Sequence, residues 1–206
     1  MPSDPALILG FDTSAAHCAA ALLSGDRIVA HAVDHMAKGQ AERLIGLLQE
    51  VLTKGGVTWQ DLDAIGTGVG PGNFTGIRIS VAAARGLALG LNIPAVGVSS
   101  FEAMAFDAAL PVIALVPAPR DQVYRQDISA AENSAAFLQP RTDVLREAAT
   151  RGVAVLDMPP ADQLVANIAR IAGQRWQGPR LAPAPLYVRA ADAAPARDAP
   201  PVLIET

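Results

Sequence analysis

Short apolar runs and one clear helical period divide the first half of the chain. Leu7 to Phe11 is an apolar run ending in Asp12-Thr13-Ser14, Cys18 to Leu23 is a second, and Gly25-Asp26 turns the chain into Arg27 to Val33. Bounded by turn formers, these runs predict three strands joined by tight connections. From Ala41 the period changes: Leu44, Ile45, Leu47, Leu48, Val51 and Leu52 alternate with Glu42, Arg43, Gln49, Glu50, Thr53 and Lys54. That spacing predicts an amphipathic helix over 40–54, stopped by Gly55-Gly56.

Ala64 to Val69 predicts a fourth strand, followed by a glycine-rich loop, Gly70 to Gly76, and a second helix from about Thr75 to Leu89. This helix is apolar almost all round. Its only charges, Arg78 and Arg85, are seven apart and share one line, and Gly76, Ser80, Ala83, Gly86 and Gly90 form a line of small residues. Asn92-Ile93-Pro94 ends it, Ala95 to Val98 predicts a strand, and Ser99 with Glu102 has the spacing of a capping box for a helix around 101–108.

Strands that alternate with helices in this way predict an α/β fold with crossovers. Beyond Pro111 the expected strands are 112–116, 123–128, 153–156 and 186–188, and the expected helices 142–149 and 161–172. The division expected is an α/β lobe over 1–109, a smaller α/β lobe over 110–190, and a proline- and alanine-rich tail over 191–206 without fixed structure of its own.

The composition of the 206 residues, 51% hydrophobic and 17% charged, predicts a packed globule and excludes wholesale disorder. A net charge of −4 argues against a protein that holds nucleic acid alone by neutralising phosphates. Apolar runs fall short of a bilayer span, and the first residues lack the pattern of a secretory signal, so a cytoplasmic protein with no membrane partner is expected. A single cysteine, Cys18, fits a reducing compartment and reads as a small buried hydrophobe.

Two segments hold candidate chemistry. Asp12, Thr13 and Ser14 offer a carboxylate and hydroxyls to a metal-bound phosphate, and the same residues are ordinary turn formers. The loop Gly70-Pro71-Gly72-Asn73-Phe74-Thr75-Gly76 lies between a strand and a helix N-terminus, where Gly70, Gly72, Asn73, Thr75 and Gly76 could cradle an anion. It fits neither common phosphate motif, and glycines that permit a tight turn and close helix packing explain it equally well. No metal site is expected: His31 and His35 on a strand would stand roughly 13 Å apart. Gly97-Val98-Ser99-Ser100-Phe101 fails the nucleophile-elbow pattern at Phe101.

Ile8-Leu9-Gly10-Phe11-Asp12-Thr13-Ser14, Ala41-Glu42-Arg43-Leu44, Gly68 to Arg78, Gly86-Leu87-Ala88, Gly97-Val98-Ser99-Ser100 and Pro185-Leu186-Tyr187-Val188-Arg189 together resemble the bacterial TsaB (YeaZ) family. The good match covers about the first 105 residues. The resemblance implies an actin/Hsp70/sugar-kinase-like (ribonuclease H-like) two-lobed fold with a reduced second lobe. It also implies a part in placing threonylcarbamoyl on adenosine next to the anticodon of tRNAs that read codons beginning with A. In that family the chain is a partner of the catalytic subunit TsaD, the complex recruits the ATPase TsaE, and tRNA is met only indirectly.

Two departures bear on that role. Where the catalytic relative has two metal-binding histidines on the first long helix, this chain has Lys38-Gly39-Gln40-Ala41-Glu42, and the strand 112–116 ends in Pro117-Ala118-Pro119 where many members have an aspartate. The expected function is therefore a non-catalytic dimerisation subunit with no cofactor, docking through Leu44, Leu47, Leu48, Val51, Ile77, Arg78, Ser80, Val81, Ala84 and Arg85 onto TsaD, and onto a second copy when alone. The alternative is an ATP-using carbamoyl or phosphoryl transferase with Asp12 near a metal and the glycine loop on phosphate.

Overall fold

The computed structural model describes residues 5–179 and 182–188. The expected tail over 191–206 lies outside them, as does Arg189. Five strands form the first sheet: β1 (Leu7–Asp12), β2 (His17–Ser24), β3 (Arg27–His35), β4 (Ala64–Gly68) and β5 (Ala95–Val98), in the order β3-β2-β1-β4-β5. The first three are an antiparallel meander, and β4 and β5 run parallel to β1 after helical crossovers. The second sheet contains β6 (Val112–Pro117), β7 (Gln122–Ile128), β8 (Phe137–Pro140) and β9 (Ala154–Asp157), in the order β8-β7-β6-β9. It repeats the meander-then-crossover plan of the first sheet one strand short, the reduced second lobe of an actin-like fold.

The helices are α1 (Gln40–Gly55), α2 (Phe74–Leu91), α3 (Ser100–Ala105), α4 (Arg141–Arg151) and α5 (Ala161–Arg175). Gly56 closes α1 in the left-handed conformation at φ 70°, where a residue without Cβ is least strained. α1 and α2 cover one face of the first sheet, where Leu44, Leu47, Leu48, Val51 and Leu52 meet Leu9, Phe11 and Ile65. α5 covers the opposite face, with Ala169 and Ala172 packed on Ile8 and Ala64. A Cβ on Gly10 would fall 2.8 Å from that of Ala169, and one on Gly66 equally near that of Ala172. Those glycines let the helix settle on the sheet. α5 thus follows the second sheet in the chain but packs on the first, so the layers do not follow a cut at residue 110.

α3 bridges the lobes. Its Phe101 is fully buried among Val112, Ala114, Val116 and Ile128, and the Ser99–Glu102 capping box expected for it is present. Three local differences from the pattern-based expectation stand out. β8 is a short, half-exposed edge strand with no run of alternation to announce it. Residues 59–61 make a 3₁₀ turn. The expected strand 186–188 is absent: the segment 182–188 crosses to the first lobe as a strap, where Leu186 N–H donates to the carbonyl of Val69 at 2.8 Å.

Candidate functional site

The two segments with candidate chemistry meet at the C-terminal edge of β1 and β4. Asp12 is buried, and its Oδ2 accepts from Ser14 N–H at 2.8 Å, Ser14 Oγ at 2.9 Å and His17 Nε2 at 2.9 Å. The hairpin explains His17: Asp12 pairs with Ala19 across β1 and β2, and residue 17, two positions from Ala19, is on the same face. Sequence reading left His17 without this partner, because the pairing of residue 12 with residue 19 is set by the register of the hairpin.

The glycine loop closes on this turn. Thr13 Oγ1 donates to the Gly76 carbonyl at 2.7 Å, and Asn73 N–H donates to the Ser14 carbonyl at 2.6 Å. Asn73 caps α2 by accepting the Gly76 N–H at 2.9 Å. A Cβ on Gly76 would overlap the Thr13 carbonyl oxygen, and one on Gly72 the Ser14 carbonyl oxygen. Gly70 abuts Ile77 and Leu186, and Thr75 is exposed. Of the residues read as a possible phosphate cradle, Asp12, Thr13, Ser14, Gly72, Asn73 and Gly76 come together, but they pack on one another. Of the amides around this helix N-terminus, those of Asn73, Gly76 and Ile77 are bonded within the chain.

Between the lobes is a cavity of about 380 Å³ lined by Ser14, Ala15, Ala16, Ala37, Gln40, Pro71, Gly72, Asn73, Val116, Pro117 and Met158. None of these side chains is charged. The fold class brings ATP and a divalent metal to mind, and the residues do not fit them. A polyphosphate needs cationic or convergent N–H donors, and the other carboxylate oxygen of Asp12, which lacks a hydrogen-bond partner, is pressed against Gly68. Among the described residues no three His, Cys, Asp or Glu side chains group as a metal site. His31 and His35 are exposed on β3. Burial pushes the Cys18 thiol up to about 11, so it stays protonated and unreactive in the fold.

The docking residues expected from the sequence need correction. Leu44, Leu47, Leu48 and Val51 of α1, and Ile77, Ser80, Val81 and Ala84 of α2, are buried by their own chain. The apolar arc of a helix goes first to the sheet it covers. Of that set only Arg78 and Arg85 are exposed. With Ala82 and Leu89 they form the outward stripe of α2, spaced four, seven and eleven residues along the helix. Leu89 is 84% exposed, and on α1 Ile45 is 50% exposed. By length and composition alone α2 is apolar enough to cross a membrane, but its inner face is packed on the first sheet.

The second lobe holds an ion network that sequence reading missed. Arg125, buried on β7, donates to Asp127 at 2.7 Å, to Glu147 of α4 and to Gln139 of β8, and Arg151 joins the same carboxylates. Arg125 and then Arg151 lower the Glu147 carboxyl to about 2, and Arg125 holds Asp127 below its usual range.

A protein-family model described as TsaD, tRNA N6-adenosine threonylcarbamoyltransferase, matches residues 28–186. The chain is 35% identical to the tRNA threonylcarbamoyladenosine biosynthesis protein TsaB of Escherichia coli over 131 residues, 61% of this chain and 56% of that one. It is 36% identical to the protein of the same name from Bacillus subtilis over 122 residues, 57% and 52% of the two chains. It thus spans about half the length of these curated relatives. An uncharacterized protein of Mycobacterium tuberculosis is 30% identical over 169 residues, 77% of this chain and 79% of that one. A crystal structure of a Pseudomonas aeruginosa protein, described as similar to peptidase YeaZ, superposes with a TM-score of 0.70 at 27% identity, covering 89% of this chain and all of that one. With the glycine loop, the meander-and-crossover sheets and these matches in agreement, the chain belongs to the TsaD family as that model defines it and, within it, to the TsaB (YeaZ) branch.

Proposed function

We propose that the chain is a non-catalytic subunit of the machinery that makes threonylcarbamoyladenosine in tRNA. It works in the cytoplasm, docks on a TsaD-type catalytic subunit and helps to recruit the ATPase TsaE, with tRNA met only through that complex. The observation that carries this reading is the closure of the glycine loop on the Asp12–Ser14 turn. With the amides of Asn73, Gly76 and Ile77 bonded internally and a cavity free of charged side chains, the chain's own cleft offers little to a nucleotide. Chemistry then falls to a partner, and the outward stripe of α2 with Ile45 of α1 is the surface that supports docking. Arg78 and Arg85 with no acidic residue anywhere on α2 fit a partner helix that carries carboxylates.

The experiment is to measure the mass of the chain in solution alone and with the TsaD-type subunit, and to repeat it with Leu89→Glu and Ala82→Arg. A defined complex that both variants weaken is the expected result. ATP hydrolysis by the isolated chain that disappears in Asp12→Ala would instead establish the transferase alternative.

A further inference from the structure

Arg78 is held in an unusual way for an exposed arginine. Its guanidinium carbon lies 3.7 Å from the centroid of the Phe74 ring and 5.8 Å from that of Tyr187, and its Nε donates to the Tyr187 hydroxyl at 2.9 Å. The two rings are 5.1 Å apart, tilted by 34°. Tyr187 is delivered by the strap, whose Leu186 packs with Val69, Ile77 and Val81 of the first lobe and with Phe101 and Val112 toward the second. Phe74 and Tyr187 are each about two-fifths exposed, at 40% and 41%.

Several other arginines that are held in place hold a carboxylate in return, Arg43 with Asp34, Arg125 with Asp127, Arg141 with Asp157 and Arg175 with Glu102, while Arg170 donates to the Asn167 side-chain oxygen. Among the described residues Arg78 has only the Tyr187 hydroxyl. Ordering a long side chain costs rotamer entropy, and here the ordering leaves both Nη groups without an acceptor among those residues. A guanidinium stacked on one face and fixed at Nε is prearranged to bind a planar anion through its two Nη groups.

We infer that Phe74, Arg78 and Tyr187 form a preset anchor for a carboxylate on the protein partner that docks along α2. The inference rests on the docking reading above and adds to it the chemistry of the contact and the role of the strap. Tyr187 is the positioning residue, since it reaches Arg78 from 109 positions away and sets the direction of the guanidinium. A protein carboxylate is favoured over a nucleic-acid phosphate for two reasons. The stripe continues from Arg78 through Ala82 and Arg85 to the exposed Leu89, which suits a helix that presents both apolar and acidic side chains, and the chain's net charge of −4 repels a polyanion.

The test uses the full chain and a TsaD-type subunit, titrated calorimetrically at about 0.1 M and about 0.5 M salt. Arg78→Lys is expected to weaken the complex about tenfold, because lysine supplies charge without the planar fork. Tyr187→Phe keeps the ring but removes the acceptor, and should weaken it about threefold, with Arg78→Ala flattening the salt dependence. If both Arg78 variants bind within about twofold of the parent while Leu89→Glu weakens binding, the anchor is refuted and the docking surface stands. If Leu89→Glu also binds unchanged, the docking reading itself has failed. Arg78 variants that lose affinity for tRNA alone, and none for the subunit, overturn the carboxylate assignment in favour of phosphate.

Discussion

The carbonyl oxygen of Thr13 occupies the space that a side chain on Gly76 would need. Gly76→Ala must therefore push the β1–β2 turn away from α2, and is expected to destabilise the fold by about 2 kcal/mol. Gly86, ten residues on in the same helix, has open space around its missing Cβ. There the same change should stabilise by about 0.5–1 kcal/mol through helix propensity alone. Urea unfolding of both variants checks the opposite signs.

Leu48 and Leu89 separate the two roles of the helices. Leu48 is fully buried on the first sheet, and truncation to alanine should cost about 2–5 kcal/mol of stability. Leu89→Ala, at 84% exposure, should change stability by less than about 0.5 kcal/mol. Equal losses in thermal unfolding would contradict the orientation of the helices.

Acid should loosen the second lobe. The Glu147 carboxyl lies at about 2 in the fold against an ordinary 4.5, so its pairing stabilises fully above the ordinary value and is lost as pH falls through that window. Asp127 is lowered by the same arginine and acts in the same direction. The stability difference between the parent and Glu147→Gln should be present at neutral pH and shrink to nothing near pH 2, as read from chemical unfolding across that range.

Cys18 should resist modification. Its thiol is buried and pushed up to about 11, so an aromatic disulfide reagent at neutral pH should react only as fast as the protein opens. Rapid labelling of the native chain at a rate independent of added denaturant would show that β2 is not sheathed as described.

Much of the fold was legible from local pattern. The runs at 7–11, 18–23, 27–33 and 64–69, the helical period over 40–54, and the Ser99–Glu102 box each became the element they predict. In these segments local preference and tertiary placement agree. β8 escaped because four half-exposed residues without alternation carry no period. His17 escaped because its bond to Asp12 depends on hairpin register, and Arg125 because its partners come from three separate elements. The strap looked like a strand at 186–188, since its apolar spacing is the same whether it pairs in a sheet or lies across α2.

By itself the sequence determined the order of strands and helices, the arc of α1 that must be covered, and the absence of an α2 charge other than Arg78 and Arg85, because these follow from spacing along a single segment. Only the tertiary structure decided which side of α2 meets the sheet, that the glycine loop closes on Thr13 and Ser14, and that Tyr187 clamps Arg78. A helix apolar on nearly every side has no preferred rotation until neighbours surround it. Contacts across 63 and 109 positions of chain exist only once the first lobe has folded and the strap lies across it.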